Sequence, residues 1–251
     1  MKVFSVIGVS KSGKTTTIEE IVKELIRRRY SVGTVKDIHF EKFAMDQPGT
    51  NTYRHREAGS QLVTARGLYE TDVLFQKRLP VDEILKFYDH DFVLLEGVRD
   101  FNVPKIVCGH NEQEVDERLD PTVFALSGVI AENLSQYKGL PVFNSLKDVK
   151  NLVDYIEAKV PHVLPNVPKE CCGKCGASCE ELLVDILRGK RKRSECRIDG
   201  GRVKLFVGDE EIPMVDFVKE ILEGTVRGLV SKLKGYNSSK EITIKIYPEQ
   251  K

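Results

Sequence analysis

The chain has no tryptophan, only three methionines, and no apolar run of the length that crosses a bilayer. A membrane-spanning helix needs about 18 or more such residues, so we predict no membrane partner. An excess of one charge is also missing, because 39 basic and 38 acidic residues leave a net charge of +1 over 251 residues. Balanced charge gives no electrostatic reason to bind nucleic acid. The first residues lack a charged-then-apolar signal segment, so we expect a cytoplasmic protein.

A glycine-rich motif occupies residues 8–15, which match Gly-x-x-x-x-Gly-Lys-[Ser/Thr]. An apolar run at 3–7 precedes it and apolar residues at helical spacing follow it, which is the strand–loop–helix context of a phosphate-binding P-loop. Backbone N–H groups and the helix N-terminus there favour phosphate. Lys14 would reach the β- and γ-phosphates, and Thr15 would bind Mg²⁺. The predicted nucleotide-binding residues are Gly8, Ser10, Lys11, Ser12, Gly13, Lys14, Thr15 and Thr16.

Two acidic residues are candidates for chemistry beside this loop. Glu96 follows the apolar run 92–95 and precedes Gly97, so it would end a strand next to the phosphates. We predict Glu96 as a catalytic carboxylate and, with Thr15, as a Mg²⁺ ligand; an ordinary strand-end acid is the alternative. Asp46 is the second catalytic candidate, on a loop after the second strand. A surface helix capped by Thr50 or Thr52 explains its segment equally well.

Strands and helices alternate along the first half of the chain. Strand-forming segments at 31–35, 92–95, 105–108 and 123–126, a short strand at 141–143 and a helix from 149 predict an α/β fold with a doubly wound, mostly parallel sheet. Prolines 161, 165 and 168 suggest a linker. We predict a P-loop domain over 1–162 and a small α+β metal-binding domain over 163–251. The second would contain helices at 180–188 and 215–233, the latter with a core-facing apolar stripe, and strands at 203–207 and 242–246.

Five of the six cysteines fall between 171 and 196. The spacing Cys-x2-Cys-x3-Cys-x16-Cys is formed by Cys172, Cys175, Cys179 and Cys196, and suits four thiolate ligands of a 4Fe–4S cluster or of zinc. Free or redox-active thiols are a third possibility. The segment resembles the 4Fe–4S domains of corrinoid iron–sulfur proteins, although the gap before Cys179 is one residue shorter. We predict a 4Fe–4S cluster, with Zn²⁺ as the alternative.

Several short motifs together resemble one family. The P-loop, Val35-Lys36, Asp46-Gln47-Pro48-Gly49, Arg56-Glu57-Ala58-Gly59, Leu94-Leu95-Glu96-Gly97 and Pro104-Lys105-Ile106 occur in the order and spacing of the molybdopterin-guanine dinucleotide biosynthesis protein B family. The resemblance covers about residues 1–160. It implies a P-loop GTPase that assists a nucleotidyltransferase in attaching GMP to molybdopterin, hydrolyses GTP feebly with Mg²⁺, and forms a homodimer. Asp46 and Glu96 match the family's acids before Pro-Gly and before Gly.

The chain departs from the family pattern at three places. Where the family has Lys-His, this chain has Lys36-Asp37. It has Thr50-Asn51-Thr52 in place of Lys-Asp-Ser, and Gly128 at a position where the family often has Asp. The preference for GTP over ATP rests on the resemblance alone, because the chain has no Asn-Lys-x-Asp motif.

Two other functions compete with the accessory role. A metallochaperone GTPase for another metal centre would be expected to carry a histidine-rich stretch, and the five histidines are scattered. A P-loop small-molecule kinase would need clustered arginines in a lid, for which Arg54 and Arg56 are a weak substitute. The cysteine-rich part could sense redox state or dock a client molybdo- or tungstoenzyme.

Overall fold

A five-stranded parallel sheet forms the centre of the molecule, in the order β2-β5-β1-β6-β7. The computed structural model describes residues 1–39, 43–167, 172, 175–196, 203, 205–208, 210–212, 214, 216–236 and 242–244. The strands are β1 (Lys2–Gly8), β2 (Val32–Lys36), β3 (Leu62–Arg66), β4 (Thr71–Phe75), β5 (Phe92–Glu96), β6 (Lys105–Cys108), β7 (Val123–Ser127), β8 (Gln136–Tyr137), β9 (Leu140–Pro141), β10 (Leu205–Val207) and β11 (Glu210–Ile212). The predicted strands of the central sheet are therefore confirmed, each within one or two residues.

Helices cover both faces of this sheet. They are α1 (Lys14–Arg27), α2 (Asn51–Glu57), α3 (Val81–Leu85), α4 (Glu112–Asp116), α5 (Val149–Lys159), α6 (Cys179–Leu187) and α7 (Asp216–Val230). Side chains of β1 alternate, so Phe4 and Val6 join one buried cluster while Val3 and Ile7 join two others. Helices α1 and α5 contribute to the first cluster, and α3 and α4 to the others. The doubly wound, mostly parallel α/β fold is confirmed.

Among the residues that the structure describes, three antiparallel strand pairs lie outside the central sheet. They are β3–β4, β8–β9 and β10–β11. The β3–β4 hairpin was not predicted, although its first strand contains β-branched residues and Gly67 follows it. Leu62 and Val73 are exposed on this hairpin, and Leu68 and Tyr69 at its tip are almost fully exposed.

Part of the region after residue 163 packs into the main core. Leu182, Leu183 and Leu187 of α6 and the neighbouring Cys196 belong to the same buried cluster as the α1 and α5 side chains. Arg193 donates to the backbone oxygens of His162 and Val163, both at 2.8 Å. The described residues do not divide into two separate cores at 162, and the two-domain boundary stays a prediction.

Two predictions about the C-terminal region are wrong. Phe217 and Leu229 of α7 are 69% and 70% exposed, so the apolar stripe of that helix does not face a core among the described residues. Residues 242–244 form no strand, and the rest of that predicted strand lies outside the described residues. Of the helices that the structure describes, none combines the length and apolarity needed to cross a membrane.

Candidate functional site

The predicted phosphate loop lies between β1 and α1. Gly13 is the residue before α1 and has a φ of 94°, and no side chain caps the helix there. The first N–H groups of α1 are therefore available to an anion. A Cβ at residue 13 would lie 3.0 Å from Cα of Gly128, and a Cβ at residue 128 would lie 2.1 Å from the Ser12 oxygen. This close approach explains why a side chain such as Asp cannot occupy position 128 here.

The predicted nucleotide-binding residues have different environments around this loop. Lys14 Nζ donates to the backbone oxygen of Val9, and burial lowers the pKa of its ammonium group. The buried Ser12 hydroxyl donates to the same oxygen at 2.9 Å. Ser10, Lys11, Thr15 and Thr16 are exposed. The Lys14 side chain therefore already lies over the loop, and the Ser12 side chain stabilises the conformation of the loop itself.

Thr15 and Glu96 come together as the sequence predicts. Thr15 Oγ1 donates to Glu96 Oε1 at 2.9 Å, because β1 and β5 are parallel neighbours and end at the same edge of the sheet. Lys36 Nζ, at the end of β2, lies 3.1 Å from the same oxygen. A hydroxyl beside a carboxylate is a donor set that suits Mg²⁺, which prefers oxygen ligands. The residues therefore fit the ion that the sequence predicts.

His110 is a neighbour of the loop that sequence reasoning missed. Its Nδ1 lies 2.9 Å from Glu114 Oε2 and its Nε2 lies 3.1 Å from the Lys11 backbone oxygen. The His110 backbone N–H also donates to Glu114 and helps to hold the pKa of that carboxyl below its usual range. His110 thus supports Lys11, whose φ is 59°.

A small polar cluster lies beneath the start of α1. The Thr17 hydroxyl is 3.3 Å from the hydroxyls of Ser127 and Ser145. Cys108, at the end of β6, contacts Thr17 as well, and burial raises the pKa of its thiol to about 12. Cys108 is therefore a neutral core residue.

Asp46 lies in the wall of a cavity of about 730 Å³ that also includes Lys36. Its Oδ1 accepts from Thr50 at 2.6 Å and from Thr52 at 2.9 Å, and the Thr50 hydroxyl is the main cause of a lowered Asp46 pKa. Its Oδ2 is buried and has no hydrogen-bond partner among the described residues. Thr50 caps α2, as predicted. The hydrogen bonds of Asp46 are thus made with Thr50 and Thr52 of the same segment of chain. Its catalytic role stays a prediction.

The cysteine segment does not form a metal site in the part of the chain that the structure describes. There, no group of three or more His, Cys, Asp or Glu side chains is placed to hold a metal ion. The Cys175 thiol donates to the Ala177 oxygen and the Cys179 thiol to the Val167 oxygen, at 3.4 and 3.7 Å. Cys172 is half-buried and Cys196 is buried. The structure gives no support to a 4Fe–4S or zinc centre.

Comparisons with known proteins agree on one family. The family model for molybdopterin guanine dinucleotide synthesis protein B matches residues 3–129. A putative molybdopterin-guanine dinucleotide biosynthesis adapter protein of Methanocaldococcus jannaschii is 30% identical over 253 residues, covering 98% of this chain and 97% of that protein. The adapter protein of Haemophilus influenzae is 32% identical over 122 residues, covering 45% and 68%. The crystal structure of Bacillus subtilis MobB has a TM-score of 0.54 at 21% identity, covering 64% of this chain and 99% of that one, which shows a shared fold.

Proposed function

Because the chain belongs to the molybdopterin guanine dinucleotide synthesis protein B family, we propose that it is a GTP-binding accessory protein in molybdenum cofactor biosynthesis. It would assist the attachment of GMP to molybdopterin, or the delivery of the product. The observation that carries the nucleotide part is the contact of Thr15 with Glu96 beside a phosphate loop whose helix lacks a side-chain cap. The cofactor-biosynthesis part is supported by the names of the related proteins.

The residues of the site divide the work of holding a nucleotide. Phosphate oxygens would accept from the N–H groups at the start of α1, and Lys14 would exchange the Val9 oxygen for a phosphate. Thr15 and Glu96 would hold Mg²⁺, which supplies positive charge to the phosphates. Glu96 would also orient the attacking water, and we expect hydrolysis to be slow. The choice of guanine over adenine is supported only by the family.

The proposed partners follow from the accessory role. They are a molybdopterin nucleotidyltransferase, a client molybdo- or tungstoenzyme, or both, since the relatives are called adapter proteins. A second copy of the chain is also proposed, as a homodimer. The exposed apolar side chains of the β3–β4 hairpin offer a surface on which such contacts could form.

The Lys14→Ala variant tests this function. We expect the variant to bind a fluorescent GTP analogue with Mg²⁺ about 10- to 150-fold more weakly, because a charged hydrogen bond to phosphate is lost. Lys23→Ala is the matched control, since Lys23 lies on the same helix with a 68% exposed side chain. Each protein is then added to the nucleotidyltransferase, and dinucleotide formation is measured. Undiminished affinity in Lys14→Ala, or no effect of the natural chain on the transferase, would contradict the proposal.

The metal centre is a separate proposal that is supported only by cysteine spacing. Anaerobic purification followed by iron, acid-labile sulfide and zinc analysis tests it. About four iron and four sulfide per chain would show a 4Fe–4S cluster, and one zinc without iron would show the alternative. Replacing Cys175 with Ser should remove either metal. A natural chain that contains neither metal would disprove the proposal.

A further inference from the structure

The proposed nucleotide site leaves two basic side chains beside the predicted phosphate loop without a function. Lys36 ends β2, and its ammonium group lies 3.1 Å from Oε1 of Glu96, the oxygen that accepts from Thr15. Arg99 follows Glu96 by three residues, and its side chain is exposed. Both side chains are therefore placed to contact a ligand at the Mg²⁺ end of the site.

The backbone that carries Arg99 is fixed against β1. The Gly97 N–H donates to the Val6 oxygen at 3.0 Å. The buried Ser5 hydroxyl donates to the Val98 oxygen at 2.7 Å. Because β1 is the strand that leads into the loop, these two bonds place Arg99 beside the loop. Among the described residues, the Arg99 guanidinium has no hydrogen-bond or ion-pair partner, so its donors are available to a ligand.

Lys36 is held at the neighbouring strand end. It lies opposite Glu96 in the parallel β2–β5 register, and the Asp37 N–H donates to the Glu96 backbone oxygen at 2.9 Å. The Lys36 side chain is 56% exposed, so a ligand can reach it from solvent. An ammonium group carries more N–H donors than the one that Glu96 accepts. The remaining donors of Lys36 are free to bind an anion beside the proposed Mg²⁺ ligands.

The charges around Lys14 favour a highly charged anion. Burial is the main cause of the lowered pKa of the Lys14 ammonium, and the nearby charges of Lys36 and Arg99 lower this pKa as well. Three cations thus lie close to the loop, and Glu96 is the carboxylate among them. Like charges that are close together repel, so an anion that lies between them is stabilised.

The terminal phosphate of a nucleotide would occupy this place. In P-loop proteins the loop lysine reaches the β- and γ-phosphates, and the metal ion bridges the same two groups. β5 lies between β1 and β2, so the ends of β2 and β5 lie on one side of the loop, where Thr15 and Glu96 meet.

We propose that Lys36 and Arg99 bind the γ-phosphate together with Lys14, which makes the site selective for a nucleoside triphosphate over a diphosphate. The inference rests on the proposed function and adds a specificity to it. Hydrolysis would weaken nucleotide binding, because the diphosphate lacks the group that both side chains contact.

The test compares a non-hydrolysable GTP analogue with GDP, each titrated with Mg²⁺ into the full chain by isothermal titration calorimetry. We expect the natural chain to bind the triphosphate more tightly. In Lys36→Gln and in Arg99→Gln, affinity for the triphosphate should fall at least about tenfold, because a charged hydrogen bond is lost, while affinity for GDP should change less than about threefold. Lys23→Gln on α1 and Arg188→Gln at the end of α6 each remove one exposed positive charge and should change neither affinity.

The affinity for GDP shows whether each variant still forms the loop. If Lys36 only neutralises Glu96, its replacement would strengthen Mg²⁺-dependent binding of both nucleotides, and this result would overturn the inference. Equal loss of affinity for the two nucleotides, or unchanged affinity for the triphosphate in either variant, would also overturn it and leave the proposed function standing. A natural chain that binds neither nucleotide would contradict the proposed function itself, and the inference with it.

Discussion

Two polar side chains contact the same carboxylate oxygen of Glu96, and a bound metal ion would change both contacts. Thr15 donates a hydrogen bond to its Oε1, and the Lys36 ammonium lies 3.1 Å from the same oxygen. An Mg²⁺ ion would share the carboxylate with Lys36 and take over the Thr15 hydroxyl as a ligand. The charge of Glu96, more than its shape, is therefore the property on which metal binding depends.

Glu96→Gln tests this role of charge. The amide oxygen can still accept from Thr15, so we expect GTP-analogue affinity to change by less than about tenfold, while Mg²⁺-dependent hydrolysis falls by at least about tenfold. Single-turnover phosphate release measures the rate. Asp91→Asn is the control. Asp91 directly precedes β5, the strand that Glu96 ends, and its carboxylate accepts a hydrogen bond from the Ser31 hydroxyl. Unchanged hydrolysis in Glu96→Gln would remove Glu96 from the proposed metal site.

At the scale of elements, α1 connects the phosphate loop to α5. The loop begins the helix, and near its end Arg28 contacts Glu24 on α1 and both Asp154 and Glu157 on α5. The side chain of Glu24 is 5% exposed, and hydrogen bonds from Arg27 and Arg28 hold its pKa at about 2. The group that aligns the two helices is therefore a buried, ionised carboxylate.

The pH dependence of stability follows from this shift. The folded pKa of Glu24 is below the unfolded value of about 4.3, so its stabilisation is complete above about pH 4.5 and is lost as pH falls towards 2. Glu24→Gln should lower the free energy of unfolding at pH 7 by about 1–3 kcal/mol, and the difference should shrink towards pH 2. Urea unfolding followed by circular dichroism measures both.

Glu20→Gln provides the comparison on the same helix. Glu20 pairs with the exposed Lys23, so its loss should change stability by less than about 0.5 kcal/mol at any pH. A difference between the natural chain and Glu24→Gln that stays constant from pH 7 to pH 2 would contradict the assignment.

At the scale of the whole molecule, α6 connects the region after residue 163 to the main core, although the sequence predicts that region to be a separate domain. Leu183 is 1% exposed and belongs to the cluster that contains α1 and α5 side chains. Arg191 donates to the Cys175 oxygen at 2.9 Å, and Arg193 donates to the His162 oxygen. These two arginines thus connect the cysteine segment to the residues that follow α5.

Leu183→Ala tests whether α6 and the P-loop part unfold together. Removing a buried leucine side chain should cost about 2–5 kcal/mol. If the core is shared, loss of GTP-analogue binding on heating should shift to lower temperature together with loss of helix signal. Leu229→Ala, on the exposed face of α7, is the control and should shift neither. A Leu183→Ala variant with an unchanged GTP-binding transition would support the predicted two-domain boundary instead.

The predictability of the site depended on the distance along the chain between its parts. The glycine loop between a strand and a helix, the Thr50 cap of α2 and the apolar strands are local patterns, and the conformation of each is confirmed, whereas phosphate binding by the loop stays a prediction. Lys36 and His110 were not identified as site residues. Lys36 meets Glu96 through the β2–β5 register, and His110 reaches Lys11 across 99 positions. Lys36, like Glu96, ends a strand that the sequence predicts, and this position is a signal from which its place in the site could have been predicted.

The sequence by itself determined the phosphate loop and the α/β order of elements, because glycine positions, helix caps and runs of buried residues act on neighbours in the chain. It also carried the family motifs. Only the tertiary structure decided that Lys36 shares Glu96 with Thr15, that Asp46 faces a cavity, and that α6 packs with α1 and α5. The physical reason is that strand order and helix docking are set by the burial of apolar surface over the whole molecule, which brings distant residues together.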